Sequence, residues 1–382
     1  MKRQLTQSNL EKQIKDHTDL YFRKTKEIVY NNEDVTVTYA IFMRRPVVFC
    51  PKLAVNWLRK VEKVRKTKFK ITLQHKEGAW VGAGEPLMLI KGLFSELVEL
   101  ETIYLQLIGP SSVAAYNSYI MCSNLPSTSF LAMDARHCAG KEMHELMAYG
   151  ASVGSNKAKE ENKAQGFIGS SCRYTSKFFD KRDGIGTMPH SLIGYAGSTL
   201  KAAKLYHELY KREKLTVLVD YFGKEITDTL IVCQNFEKLA KKGNLSVRID
   251  THSSRYLEGL NLEKSYEILE EFNSKTIRKY RNEEELKWLV GAGVSAAAII
   301  YLRKMLDRNG WDKVKIVASS GFNASKCKLF GDLKAPVDLI GTGSYIPENW
   351  TETYATADII NYNGKNVVKK GREFLLKGIK FE

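Results

Sequence analysis

The sequence predicts an α/β protein, built as an irregular βα-barrel with an N-terminal α+β sheet domain and completed by a C-terminal tail. Seven short apolar runs between residues 127 and 346 each end in polar, charged or glycine residues. Several intervals between these runs have the pattern of amphipathic helices. A buried parallel strand is a continuous apolar run, and a crossover helix must separate it from the next strand. Residues 1–110 lack this alternation, which indicates a separate domain.

The seven runs are STSFLAMDAR, KAQGFIGSS, DGIGTMPH, LTVLVDYFG, LSVRIDTHS, VKIVASSGF and VDLIGTGSYI. If these strands close into a barrel, their polar ends gather on one rim, which is where βα-barrel enzymes keep their chemistry. The residues that we expect on this rim are Asp134, Arg136, Ser170, His190, Asp220, Arg248, Asp250, Ser320, Gly341 and Gly343.

The same pattern divides the chain into three segments. Residues 1–111 are predicted to form the α+β domain, because strand-like runs such as VTVTYAIFM alternate with glycine-containing turns. Gly109-Pro110 is a break signal, so the barrel is expected over residues 112–346. The tail, residues 347–382, carries a hairpin signal at Asn363-Gly364 and is expected to pack on the first domain.

Composition favours an anionic partner and a cytoplasmic location. The 382 residues carry a formal net charge of +16, which suits nucleic acid, a membrane surface or phosphorylated small molecules, although a diffusely basic, solvated surface is the plainer interpretation. Six cysteines without a CxxC pair indicate reduced thiols rather than a zinc knuckle or a disulfide framework. The N-terminus lacks a signal-peptide core, and the apolar stretch 288–302 is too short for a membrane span, so we expect a buried helix over residues 294–306.

Two strand ends carry candidate groups for binding a carboxylate or a phosphate. In MDARHCAG, Arg136 has the planar fork that grips such groups bidentately, although an ion pair between Asp134 and a neighbouring residue is the simpler alternative. In GFIGSSC, the Ser170 and Ser171 hydroxyls are placed to approach a ligand, but a plain turn explains the same residues.

The segment GTMPHS is more specific. Thr187 closes the predicted strand, and Pro189 suits the first turn of a helix, where its missing N–H is no loss. His190 would then lie at the helix N-terminus on the rim, where an imidazole can bond a substrate or accept a phosphoryl group. A purely structural histidine is the alternative.

Aspartates end the next two strands, in VLVDYFG and VRIDTHS. Asp220 and Asp250 suit ribose hydroxyls or a Mg²⁺ ion bound to pyrophosphate. Arg248 leaves the same strand face as Asp250, so a simple pair between them is the alternative to substrate binding. The loops after the last two strands, ASSGFN and GTGS, offer Ser320, Gly321, Gly341, Gly343 and Ser344 for a phosphate.

Taken together, these residues resemble the nicotinate phosphoribosyltransferases, which are type II phosphoribosyltransferases, in their compact archaeal and bacterial form. The resemblance covers most of the chain, and GTMPHS is its most specific motif. The other matching segments are TDLY (residues 18–21), GEPLMLIKG, LVELET, GFIGSS, LVDYF, VRIDT, ASSG and IGTGS.

The resemblance implies a pentosyltransferase of NAD biosynthesis that converts nicotinate and phosphoribosyl pyrophosphate to nicotinate mononucleotide and pyrophosphate. It implies Mg²⁺, held through the pyrophosphate by Asp220 and Asp250, and ATP as a co-substrate that phosphorylates His190, which would add a ligase-type classification. The implied roles are catalysis for His190, Asp220 and Asp250, substrate binding for Tyr21, Arg136, Ser170, Thr187 and Arg248, and phosphate binding for Arg44, Arg45, Ser320, Gly321, Gly341, Gly343 and Ser344.

The resemblance also implies a homodimer or higher oligomer with shared sites. Tyr21 is expected to stack on the pyridine ring in the neighbouring subunit's site, and Arg44 or Arg45 to reach the phosphates across the dimer. No nucleic acid or membrane partner is expected.

Two alternatives stay open. Asp134-Ala135-Arg136 stands where longer family members read D-F-G-T-R and where quinolinate phosphoribosyltransferases read D-T-R, so a decarboxylating quinolinate enzyme is the first alternative. The ring-stacking aromatic of the longer motif is missing here. A non-catalytic nucleic-acid-binding protein is the second, and it would need basic residues clustered with aromatics, whereas this sequence spreads them.

Overall fold

A five-stranded antiparallel sheet and a six-stranded parallel sheet organise the protein. The computed structural model describes residues 2–348 and 355–379 and, for residues 2–8, the backbone alone. Of the predicted tail, residues 349–354 and 380–382 lie outside the described residues. Contacts group the chain into a first unit, residues 1–119, 138–157 and 346–382, and a second unit, residues 120–137 and 158–345.

In chain order, the elements up to residue 124 are α1 (Lys2–His17), α2 (Leu20–Tyr30), β1 (Thr36–Phe42), β2 (Val47–Val48), α3 (Lys52–Arg65), β3 (Lys70–Leu73), β4 (Trp80–Val81), β5 (Pro86–Leu93), α4 (Phe94–Leu97), a 3-10 turn (Val98–Leu100) and α5 (Glu101–Asn124).

From residue 125 to residue 249, the elements are β6 (Ser129–Ala132), a 3-10 turn (Ala135–His137), α6 (Gly140–Asn162), β7 (Gly166–Ser170), α7 (Arg173–Ser176), a 3-10 turn (Lys177–Phe179), α8 (His190–Ala196), α9 (Thr199–Leu209), β8 (Leu215–Leu218), α10 (Glu225–Asn235), α11 (Glu237–Lys241) and β9 (Leu245–Ile249).

The remaining elements are α12 (Leu262–Ile277), α13 (Glu283–Val290), α14 (Ala296–Arg308), β10 (Lys315–Ala318), α15 (Ala324–Leu333), β11 (Leu339–Thr342), β12 (Thr356–Tyr362), β13 (Lys365–Asn366) and a 3-10 turn (Glu373–Leu376).

Strand β1 is the centre of the first unit's sheet, whose order is β13-β12-β1-β5-β3. Its residues from Val37 to Phe42 are buried, because helices cover one face and the tail covers part of the other. On the tail, Arg372 stacks over the Phe42 ring at 5.1 Å and pairs with Asp358 at 2.9 Å. The tail therefore contributes both a strand and part of the core of this unit.

The predicted break at Gly109-Pro110 is wrong, because helix α5 runs through Pro110. A proline inside a helix costs about 3 kcal/mol through its missing N–H and its clash with the preceding turn. Ile108 and Val113 beside it are buried, and each such side chain stabilises the fold by about 1.5–3 kcal/mol. Packing of this apolar helix therefore outweighs the proline penalty.

The second unit contains the parallel sheet, whose order is β7-β6-β11-β10-β9-β8. All five neighbouring pairs are parallel, so the strands' carboxyl ends lie along the same edge of the sheet. Most of their interior residues are buried, as expected for apolar runs covered on both faces, although Ile168 on the edge strand β7 is 36% exposed. The predicted α/β fold with an N-terminal antiparallel sheet is confirmed.

Six of the seven predicted barrel strands form, and DGIGTMPH does not. Within it, the Ile185 N–H donates to the Ser170 carbonyl at 2.9 Å, but no ladder follows. Two glycines and a proline deprive this segment of the side chains and the N–H that a strand needs. The helix predicted over residues 294–306 is α14, which begins after its N-cap, Ser295. No helix in the described part of the chain is both long and apolar enough to span a membrane.

Candidate active site

A cavity of about 520 Å³ lies at the carboxyl ends of the parallel strands in the second unit. Its walls come from the loops that follow five of the six strands and from the start of α8. The lining residues are Met133, Ala135, Arg136, His137, Ser171, Pro189, His190, Leu218, Arg248, Asp250, Ser319, Ser320, Gly321, Phe322, Gly341, Thr342, Gly343 and Ser344.

Most of the predicted site residues meet in this cavity. The lining includes Arg136, His190, Arg248, Asp250, Ser320, Gly321, Gly341, Gly343 and Ser344. Three others, Ser170, Thr187 and Asp220, do not line it but support residues that do. The remaining three, Tyr21, Arg44 and Arg45, belong to the first unit.

Arg248 ties three loops together. Its Nε donates to Ser319 Oγ at 3.1 Å, Nη1 to Thr187 Oγ1 at 2.8 Å, and Nη2 to Asp250 Oδ2 at 3.0 Å. The guanidinium therefore does more than pair with Asp250. The second N–H groups of Nη1 and Nη2 are not used by these bonds, so Arg248 can still bind an anionic ligand.

His190 and Asp220 form a pair at the start of α8. The His190 Nε2 lies 3.0 Å from Asp220 Oδ2, and the His190 side chain is 44% exposed, whereas that of Asp220 is 7% exposed. Arg255 holds the Asp220 carbonyl at 2.8 Å and also pairs with the fully buried Glu225 at 2.6 Å. The imidazole is therefore held in place from behind while one face remains open to a ligand.

Arg136 is the cation of the cavity that is most available to a ligand. It is exposed, and its side chain makes no hydrogen bond or ion pair with any residue that the structure describes. Burial and the neighbouring Arg136 charge lower the pKa of His137, against the opposing effect of Asp134. This shift favours the neutral form of His137, so the positive charge of this loop is concentrated on Arg136.

The turn after β10 suits an anion. Ser320 and Gly321 have φ of +85° and +65°, and within residues 2–348 and 355–379 no acceptor is found for the N–H groups of Gly321 and Phe322. Unpaired backbone donors in such a turn form a concave site for negative charge. This geometry explains why position 321 is a glycine, since a positive φ favours glycine.

The glycines after β11 are required by packing. A Cβ on Gly343 would lie 2.5 Å from the Met133 carbonyl oxygen and 2.6 Å from the His137 ring, and one on Gly341 would lie 2.6 Å from the Met133 sulfur. The sequence suggested that these glycines admit a phosphate. The structure shows that they admit the neighbouring loop after β6, and phosphate binding by this loop stays a prediction.

Ser170 is buried beneath the cavity. Its hydroxyl lies 2.7 Å from Thr175 Oγ1 and accepts from the Cys172 N–H at 3.1 Å, so it fixes the turn after β7. The adjacent Ser171 lines the cavity instead.

In the first unit, Tyr21 is 61% exposed and donates to Asp19 at 3.3 Å. Arg45 stacks over the Tyr116 ring at 5.4 Å, and Arg44 is exposed.

Sequence reasoning missed three supporting residues, Ser319, Arg255 and Lys326. Ser319 precedes a predicted site residue by one position and could have been included with it. Arg255 follows Asp250 in a polar loop, where nothing in the pattern separates it from surface arginines. Lys326 is 5% exposed, and lysine is so seldom buried that its helical position gave no signal.

The candidate metal ligands fit a Mg²⁺ ion only in part. Asp220 Oδ1 is buried without a hydrogen-bond partner in the described structure, and a carboxylate oxygen suits Mg²⁺. Across residues 2–348 and 355–379, no three His, Cys, Asp or Glu side chains cluster as a metal site. A bound Mg²⁺ would therefore need ligand oxygens in addition to those of Asp220 and Asp250.

Comparison with known proteins agrees with this architecture. Residues 19–112, about a quarter of the chain, match the family described as quinolinate phosphoribosyl transferase, N-terminal domain. No match was found among curated protein sequences.

Several solved structures share the fold over more than nine-tenths of this chain. Nicotinate-nucleotide pyrophosphorylase from Pyrococcus furiosus is 23% identical with a TM-score of 0.69, over 94% of this chain and 79% of that one. The Ehrlichia chaffeensis nicotinate-nucleotide pyrophosphorylase is 14% identical with a TM-score of 0.56, over 92% and 97%. Human nicotinic acid phosphoribosyltransferase is 15% identical with a TM-score of 0.58, over 92% and 76%. At these identities the likeness establishes the fold.

We predict that Gly321→Ala and Gly364→Ala cost similar stability but differ in ligand binding. Both glycines have positive φ and open space where a Cβ would lie, so each alanine should lower the free energy of unfolding by about 1–2 kcal/mol. Only the methyl group of Gly321→Ala would enter the cavity, because Gly321 lines it and Gly364 does not. Calorimetric titration with inorganic pyrophosphate should show weaker binding for Gly321→Ala alone, and equal binding by the two variants would contradict the anion-binding turn.

Proposed function

We propose that this protein is a phosphoribosyltransferase of pyridine-nucleotide biosynthesis, and that nicotinate is its acceptor. The family match over residues 19–112 and the shared fold support the broader assignment. The observation that carries the proposal is the convergence in one cavity of Arg136, Arg248 and the His190–Asp220 pair with the turn at Ser320-Gly321. Together these groups can bind a carboxylate, a ribose and phosphates within one cavity.

The reaction would join the pyridine nitrogen of nicotinate to C1 of the ribose as the bond from C1 to the pyrophosphate oxygen breaks. Positive charge develops on the ribose and negative charge on the departing pyrophosphate. Such a step depends on positioning and on fixed charges rather than on a nucleophile. When bound, Mg²⁺ would neutralise charge on pyrophosphate, and Asp220 and Asp250 would hold it.

The cavity's charges favour nicotinate over quinolinate. Arg136 is free of protein partners in the described structure, whereas Arg248 already contacts Asp250, Thr187 and Ser319. Arg136 alone keeps all of its donors for a ligand, which suits the single carboxylate of nicotinate, while quinolinate carries two. Quinolinate remains the second candidate, because the matched family of residues 19–112 bears its name.

We predict that purified protein with phosphoribosyl pyrophosphate and Mg²⁺ uses nicotinate at least about tenfold better than quinolinate, as expected if one carboxylate stays unpaired at a cost of about 1.4 kcal/mol or more. With each acid supplied alone, mononucleotide formation measures its turnover, and CO₂ release reports quinolinate use specifically. Preferential CO₂ release from quinolinate would establish the second candidate instead. Absence of both reactions, with nucleic acid bound at physiological salt, would favour the non-catalytic alternative.

We also propose that ATP phosphorylates His190, whose 44% exposed ring is held by Asp220. Labelled ATP should leave an acid-labile label on the wild type and on His75→Ala, a control in the first unit, but not on His190→Ala. An active wild type without label would limit His190 to substrate contact.

The shared-site proposal concerns the first unit. Helix α2 has no buried residue, and Leu20 and Tyr21 are 58% and 61% exposed, so this surface is suited to a second copy of the chain. We propose that Tyr21 stacks on nicotinate in the partner's cavity, and that Arg44 or Arg45 contacts the phosphates there.

We predict that two inactive variants, Tyr21→Ala and Asp250→Ala, regain activity when they are unfolded and refolded together. A mixed dimer would contain one site in which both contributing residues are intact. Each mixed dimer should therefore have about half the activity of a wild-type dimer. Each variant refolded alone is the control. No recovery in a sample that contains mixed dimers would assign Tyr21 and Asp250 to one subunit or remove Tyr21 from the site.

A further inference from the structure

Lys326 is a buried cation beneath the turn that follows β10. It belongs to the first turn of α15, where its backbone N–H donates to the N-cap Asn323 at 2.8 Å. The residue is 5% exposed, and its ammonium lies 4.3 Å from the Phe322 ring centroid and 5.8 Å from that of Phe330. Its Nζ donates to the Ser320 carbonyl at 3.0 Å.

The described structure gives this ammonium no carboxylate within ion-pairing distance. Burial lowers the pKa of Lys326 to about 8, although Cys327 and Asp250 favour its charged form and Lys287 opposes it. The side chain is therefore still mainly charged at pH 7. A buried, unpaired charge is expensive, and an apolar side chain of similar length would fill the same space at lower cost. Fold stability alone does not explain a lysine here.

The bond to Ser320 fixes the direction of the next amide. No cis peptide bond occurs among the described residues, and in a trans peptide the carbonyl and the following N–H point in opposite directions. Since the Ser320 carbonyl points to the buried Lys326, the Gly321 N–H points away from it. Gly321 lines the cavity, and its N–H has no acceptor within the described residues.

The turn combines two positive φ values, and its next peptide plane can rotate unless it is held. Ser320 has a φ of +85°, which L-residues with a Cβ rarely adopt, and Gly321 follows with +65°. Rotation of the Ser320–Gly321 peptide plane, through ψ of Ser320 and φ of Gly321, would turn the Gly321 N–H out of position, and glycine tolerates such a change of φ. The charge-assisted bond from Lys326 opposes that rotation.

We propose that Lys326 is a positioning residue, which aims the Gly321 N–H at an anionic oxygen of the ligand by holding the Ser320 carbonyl. The inference rests on the proposed function for the nature of the ligand, a phosphorylated substrate. The turn geometry is independent of which pyridine acid is used.

The test compares Lys326→Met with Lys328→Met. The two lysines lie on the same helix, and Lys328 is exposed, so the pair makes the same chemical change inside and outside the site. We expect Lys326→Met to melt at or above the wild-type temperature, because a buried charge is removed. It should bind inorganic pyrophosphate about tenfold more weakly, while Lys328→Met binds as the wild type does.

In turnover, Lys326→Met should raise the KM for phosphoribosyl pyrophosphate about tenfold and leave the KM for nicotinate within about twofold. A lowered melting temperature with both KM values raised in parallel would mean that Lys326 is merely structural, and would overturn the proposal. Unchanged pyrophosphate binding would overturn it too.

A measurement on the wild type covers the case in which Lys326→Met does not fold. With ¹⁵N-glycine labelling, and Gly321→Ala to assign the resonance, pyrophosphate should shift the Gly321 amide proton downfield. Binding without a shift at Gly321 overturns the inference. Failure to transfer the phosphoribosyl group, with pyrophosphate binding and the Gly321 shift intact, would count against the proposed function and leave the role of Lys326 standing.

Discussion

The candidate site depends on the three hydrogen bonds that the Arg248 guanidinium donates. The guanidinium joins the segment before α8, the end of β9 and the loop after β10 through Thr187, Asp250 and Ser319. Each of these segments also carries a group that faces the ligand, so their relative placement is decided by one planar, rigid donor. Arginine suits this position because its donors have a fixed geometry, which a lysine ammonium lacks.

The parallel sheet explains why these segments meet at all. Parallel pairing directs every carboxyl end to the same edge, where the apolar interior of a strand gives way to polar residues. Beneath this edge, a second set of contacts holds the polar groups from behind, including Arg255 on Asp220 and Lys326 on Ser320. Binding groups can therefore remain open to a ligand because other side chains hold them from behind.

The sequence was sufficient for the strands and for most residues of the cavity, because both follow from local pattern. Continuous apolar runs marked six parallel strands, and their polar ends marked the lining. It was insufficient where a role depends on three-dimensional contacts. Pro110 signals a break, but buried neighbours keep its helix intact. The tight contact of Gly343 with the loop after β6, which occupies the space where its Cβ would be, could not be predicted from the sequence. The burial of Lys326 depends on how Phe322 and Phe330 close around its ammonium, which a position on a helix does not reveal.

The order of strands in the first unit has a consequence for how the chain is made. Strand β1 pairs with β5 on one side and with β12 on the other, and β12 spans Thr356–Tyr362. A ribosome delivers β1 and β5 early, but the second neighbour of β1 emerges only after residues 120–345 have been made. During that interval the free edge of β1 exposes unpaired backbone groups and apolar side chains, a known route to intermolecular strand pairing. The nascent protein is thus vulnerable to aggregation until β12 has left the exit tunnel and paired with β1.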